Sequence, residues 1–186
     1  MKLAAAMLLS LSLLTGCSAN SEPLDRAMDL RNKLLNEDQC SFSTVITADY
    51  GDRIHTFSMD CVTDTDGNLS FTVTDPDTIS GITGQFANGA GMLTFDDSVL
   101  AFPLLADGQI APVCLPWIFM RTLRSGYISG YAEDKDNIIV YYEDSFENAV
   151  LNMEILLDQN NNPLYTEIFW NQKRILSAQI RDFTVL

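Results

Sequence analysis

Four cysteines and one histidine are the residues of this 186-residue chain whose side chains could attack a carbonyl or hold a soft metal. They are Cys17, Cys40, His55, Cys61 and Cys114, and their spacing argues against both uses. Zinc sites draw on closely spaced ligand pairs, and here the cysteines are isolated and no second histidine exists. A nucleophile needs a base beside it and a motif that presents it, and nothing of that kind accompanies His55. Asp64-Thr65-Asp66-Gly67-Asn68 begins like a calcium loop, but its glycine comes two places early, and a hairpin turn accounts for the same residues. Gly89-Ala90-Gly91-Met92 lacks the third glycine and the strand-to-helix setting of a dinucleotide loop. The paired carboxylates of Asp96-Asp97 fall in an expected surface turn, with nothing to raise a pKa. The expectation is a non-enzymatic protein with no metal and no cofactor.

What remains for Cys17 is attachment. Met1 and Lys2 precede an almost unbroken apolar run from Leu3 to Leu14, too short for a resident membrane helix. The run leads into Leu14-Thr15-Gly16-Cys17, which resembles the lipobox of bacterial lipoproteins. The resemblance implies a signal peptide over 1–16, an acylated Cys17 as first mature residue, a polar tether over 17–21 and one domain over 22–186. One acyl chain holds a protein only marginally, at about 0.8 kcal/mol per buried methylene, whereas two or three chains would hold it almost permanently. The expected location is extracytoplasmic and lipid-anchored to the cell membrane. Ser18 after the cysteine would permit outer-membrane sorting in a host that has one.

The formal net charge of −14 excludes a phosphate-backbone partner, because so acidic a surface repels nucleic acid. The acids are scattered through turns, as on a solvated surface beside a membrane.

The elements that must carry this surface are legible from periodicity. Residues 21–38 read as a helix with Ser21 as N-cap and Pro23 in the first turn. Leu24, Ala27, Met28, Leu30, Leu34 and Leu35 share a broad face, with Arg31 expected to snorkel outward from it. After it, nearly everything alternates with period two, which predicts strands. The exception is 112–126, where Pro116 can start a short helix, Arg121 and Arg124 suit its C-terminal dipole, and Gly126 can stop it. The reading is α+β, mostly antiparallel: a curved half-open β-barrel meander of about nine to eleven strands around an N-terminal and a short central helix.

Strands around Tyr50-Gly51 form the sharpest case. If that pair is the turn, facing positions sum to 101, and Cys40, Phe42, Thr44 and Ile46 oppose Cys61, Met59, Phe57 and His55. In this register Cys40 and Cys61 face each other as a non-hydrogen-bonded pair, within reach of a disulfide, and export would preserve the bond. Two reduced thiols packed as small apolar groups are the alternative. Cys114 is left as a buried free thiol.

Two segments carry a family resemblance. Asp75–Phe86, with Pro76, Ile79, Gly81, Ile82 and Gly84, resembles a motif of the outer-membrane lipoprotein carriers (LolA/LolB-like). The closing stretch 163–183 is similar to the final hairpin of germination lipoproteins of the GerS type. The resemblance implies a half-barrel whose helices lid an apolar concavity. In one reading that concavity binds a lipid or acyl moiety. Its walls would include Phe57, Met59, Phe71 and Val73 from the first half of the chain and Met153, Ile168, Trp170 and Leu176 from the second. Trp117, Phe119 and Met120 would lid it, although all of these could instead be ordinary core. In the other reading the domain is a tethered module that docks an envelope or spore-cortex enzyme. No polar binding residue of the carriers is matched here.

Overall fold

The computed structural model describes residues 22–186 except 52, 88, 96–97, 103–104, 107–108 and 147–148. Cys17, the expected signal peptide and the tether lie outside the described residues. Helix α1 (Glu22–Asn36) is followed by six strands: β1 (Gln39–Asp49), β2 (Ile54–Asp64), β3 (Leu69–Asp75), β4 (Thr83–Ala87), β5 (Ala90–Phe95) and β6 (Ser98–Phe102). A small ribbon, β7 (Leu105–Ala106) and β8 (Gln109–Ile110), leads through a 3-10 turn into helix α2 (Leu115–Ser125). The chain closes with β9 (Tyr127–Asp134), β10 (Asn137–Phe146), β11 (Ala149–Leu157), β12 (Pro163–Trp170) and β13 (Lys173–Val185).

Eleven strands form one open antiparallel sheet in the order β6-β5-β4-β3-β2-β1-β13-β12-β11-β10-β9. This is not a single meander. Two meandering wings, β1–β6 and β9–β13, are joined where the first strand pairs with the last. Both helices lie on the inner face, and the buried residues of sheet and helices form one core.

The period-two reading of the strands holds closely. Cys40, Phe42, Thr44, Ile46 and Ala48 are buried on β1, and Leu151, Met153, Ile155 and Leu157 on β11. The final turn falls at Asn171-Gln172, with positive φ at both residues and Trp170 facing Lys173, as a tight hairpin of right-handed twist requires.

The β1–β2 register differs from the expected one. Facing positions sum to 103, from Gln39 against Asp64 to Asp49 against Ile54. The reason is local: Asp49 Oδ1 accepts from the Gly51 amide at 2.8 Å, and the Tyr50 amide donates to the Arg53 carbonyl at 2.9 Å. The Tyr50–Arg53 bond thus closes the hairpin beyond Asp49, and the turn sits one residue later. A slip of two keeps every side chain on its face while changing every partner. Cys40 faces Thr63 and Cys61 faces Phe42, so the two thiols are diagonal rather than opposed, and both are free and buried. Diagonal backbone positions stand about 7–8 Å apart, beyond the usual span of a disulfide.

Helix α1 buries a narrower stripe than expected: Pro23, Ala27, Leu30 and Leu34, while Leu24, Met28 and Leu35 face solvent. Arg31 does not snorkel. It turns inward, donating through Nε to the Leu123 carbonyl at 2.9 Å and through Nη2 to the Gly126 carbonyl at 2.6 Å.

The segment that resembled the carrier motif is the β3–β4 connection. Pro76 O accepts from the Ile79 and Ser80 amides, Gly81 has φ +87°, and Val73 and Ile82 pair beyond it. Gly84 is needed for space. A Cβ there would lie 2.4 Å from Phe71 Cζ and 2.6 Å from the Met92 carbonyl. The Phe71 ring lies over the bare backbone of its cross-strand partner.

Candidate functional site: the concave face

The register assembles the floor of the concave face row by row. Ile46, Ala178, Thr166, Ile155 and Val140 stand side by side across β1, β13, β12, β11 and β10. The next row runs Ala48, Leu176, Ile168, Met153 and Tyr142. All ten are buried. On the β2–β4 side the floor continues through Met59, Cys61, Phe71, Val73 and Phe86.

Helix α2 is seated in this hollow. Eight of its eleven residues are buried, including Trp117, Ile118, Phe119, Met120 and Leu123. Trp117 stacks on Phe86 with ring centres 6.1 Å apart, and Phe119 meets Phe42 edge-on at 5.7 Å. The expected wall and lid residues therefore meet one another in a common core, with Phe57 and Trp170 half-buried at its margin. Helix α2 occupies the hollow.

The polar ties between the two helices are reciprocal. Arg31 of α1 caps the carbonyls at the C-terminus of α2, and Arg124 of α2 donates to the Leu34 carbonyl near the C-terminus of α1 at 3.0 Å. Each guanidinium meets the negative end of the other helix dipole. Arg124 also reaches the Asp64 carbonyl at 3.0 Å. Asp144 on β10 accepts from Thr122 Oγ1 at 3.2 Å and pairs with Arg121 at 3.5 Å. Arg121 and Arg124, expected to serve the dipole of their own helix, instead serve its neighbours.

Burial keeps the thiols protonated. It pushes Cys40 and Cys114 up to about 12 and raises Cys61 as well, where the carboxylate of Asp60 adds to the effect. None is an activated nucleophile. Tyr142 is likewise raised to about 12 by burial, opposed by Arg31. His55 is exposed on β2, its ring 6.3 Å from that of Tyr50.

Among the described residues, hollows also lie elsewhere. An open groove of about 660 Å³ runs over the opposite, outer face of β2–β6, with Asp60, Val62, Thr72, Gln85, Met92 and Val99 among its lining. A polar hollow of about 370 Å³ lies at the start of α1, between Arg26, Glu133, Lys135 and Asn161. Neither was anticipated, because groove residues on the outer face read as the ordinary polar half of an alternating strand. Arg26 fixes the second hollow by donating to Asn161 Oδ1 at 2.9 Å and to the Asp158 carbonyl.

Concave sheet, open edges and two inner helices define the class as an open half-barrel. A domain from Vibrio parahaemolyticus named for outer membrane lipoprotein sorting superposes with a TM-score of 0.50 and 9% identity, over 89% of this chain and 93% of that one. A conserved protein from Thermus thermophilus gives 0.49 at 9% identity, over 89% and 86%. A LolA superfamily protein from Nitrosomonas europaea gives 0.44 at 10% identity, over 86% and 93%. At 9% identity the likeness to the Vibrio domain is one of fold alone. No family model matches the sequence, and no curated protein does.

Proposed function

We propose that this chain is an extracytoplasmic lipoprotein, held to a membrane by acyl groups on Cys17, that receives the apolar or acyl part of a lipid or lipoprotein against its concave face. One observation carries the reading: a buried apolar floor crossing both wings is stopped by α2, a helix buried on nearly every side. A helix with so little polar surface stays seated only while apolar surface covers it, and an acyl chain is a chemically equivalent cover. The sorting role for which the Vibrio domain is named agrees with this proposal. The test is organic extraction of the chain beginning at Ser18, purified from bacteria. Bound lipid in the mass spectrum is expected, and clean extracts overturn the reading. Replacing Cys17 with alanine should abolish labelling by radioactive fatty acid; a persistent label would remove the anchor from the proposal.

The second reading is a tethered protein-binding module, near the GerS-type germination lipoproteins that the last hairpin resembles, acting on an envelope or cortex enzyme. The outer face favours it: Val62, Met92 and Val99 are exposed along the groove. Crosslinking in native membranes separates the two. A protein partner captured through Val99, with no lipid in the extract, would select the module.

A further inference from the structure

Three hydroxyls on the concave floor have no hydrogen-bond partner among the described residues: Thr44 Oγ1, Thr166 Oγ1 and the Tyr142 hydroxyl. Their residues are 1%, 0% and 1% exposed. Burying a hydroxyl without a partner is costly, and native interiors hold few such atoms. Three on one face of one sheet need a common account.

The register sets them in a line. Thr166 on β12 stands across from Ala178 on β13, which stands across from Ile46 on β1, and Thr44 is two residues before Ile46. On the other side Thr166 faces Ile155 on β11, which faces Val140 on β10, and Tyr142 is two residues beyond Val140. Strands β1, β12 and β10 run in the same direction, each separated from the next by one antiparallel strand. Two residues back on β1 and two forward on β10 therefore put the three residues on one diagonal, evenly spaced. Each step crosses two strand spacings and two residues, about 12 Å at the backbone. At one end of the line the Arg31 guanidinium lies 5.9 Å above the Tyr142 ring.

We propose that this diagonal is the track of the ligand, and that the ligand is an acyl ester or amide whose carbonyl oxygens accept hydrogen bonds from these hydroxyls, not a bare hydrocarbon. The inference rests on the reading of the concave face as an acyl site. A hydrocarbon would leave all three hydroxyls unpaired, whereas each carbonyl of the ligand pairs one of them and its chain meets the apolar side chains between. The ligand-free protein carries the cost, and binding relieves it.

The experiment compares 1-palmitoylglycerol with 1-O-hexadecylglycerol, an ether of matched chain length that lacks the carbonyl, on the chain beginning at Ser18. Affinity is read by displacement of a fluorescent fatty acid. The wild type should prefer the ester by about five-fold or more, the worth of one net hydrogen bond. Thr44→Val, Thr166→Val and Tyr142→Phe should melt at the same temperature as the wild type or higher, and at least one should abolish the preference. Equal binding of ester and ether by the wild type overturns the track while leaving the acyl site standing. A preference that survives all three substitutions, or a lower melting temperature for each, also overturns it. Binding of neither probe overturns the acyl site and the track together.

Discussion

The two wings solve the same problem with different materials. In β9–β13 the strands are long, and the inner face is covered by aliphatic side chains such as Ile138, Val140, Ile155 and Ile168 under the helices. In β3–β6 the strands are short and the cover is aromatic. Phe71 lies over Gly84 and Phe102 over Gly91, with Phe86 between them at ring distances of 5.8 and 5.5 Å. A long strand beneath a helix is covered by that helix, and each side chain need only fill its own column. A short strand toward a free edge has less overhead, and rings laid flat over glycines serve as their own roof. The same edge exposes Phe95, Val99 and Leu100. The aromatic wing therefore depends on fewer, larger contacts.

That contrast can be broken by substitution. Phe86 sits among Phe71, Phe102 and Trp117 and is fully buried, so Phe86→Ala should cost about 3–5 kcal/mol in urea unfolding. A loss below 1 kcal/mol would show that the aromatic layer is not the roof of its wing. Gly84→Ala comes next, at about 1–3 kcal/mol, since its new methyl meets both a ring and the Met92 backbone. Gly130 on β9 is the control from the other wing. A Cβ there has its nearest contact at 3.6 Å, on Tyr141, so Gly130→Ala should change stability by no more than about 0.5 kcal/mol.

Alkaline pH sharpens the comparison further. Cys40 and Cys61 lie on β1 and β2, and no cysteine lies on β9–β13. Cys40 is raised from 9.0 to about 12 in the folded protein, so the folded state holds its proton where the unfolded chain releases it. Its contribution is flat below about pH 9 and is lost as pH rises from there toward 12. Between pH 8 and 10, Cys40→Ala should lose about 1 kcal/mol less stability than the wild type. Identical pH profiles would show that Cys40 is not the group that holds its proton.

Much of the concave face was legible because alternation has a period of two. Cys40, Phe42, Thr44 and Ile46 could be assigned to one face without a fold, and the buried face of β11 likewise. The same period concealed the register. A slip of two leaves the pattern of inside and outside unchanged, so the Cys40 and Cys61 faces read correctly while their partners did not. Thr44 was visible as a hydroxyl on an apolar face, but no linear pattern says that it falls on one diagonal with Thr166 and Tyr142. Arg31 read as a surface charge within an apolar stripe because its partners, the carbonyls of Leu123 and Gly126, come about ninety residues later.

By itself the chain determined its strands, its two helices, their apolar faces and the lipobox-like start, because each depends on neighbours within a few residues. Only the tertiary structure decided that β1 closes against β13, that α2 fills the hollow, and that two arginines exchange helix ends. Those outcomes compare whole surfaces far apart in sequence, where the free energy of burial, and not local preference, selects the partner.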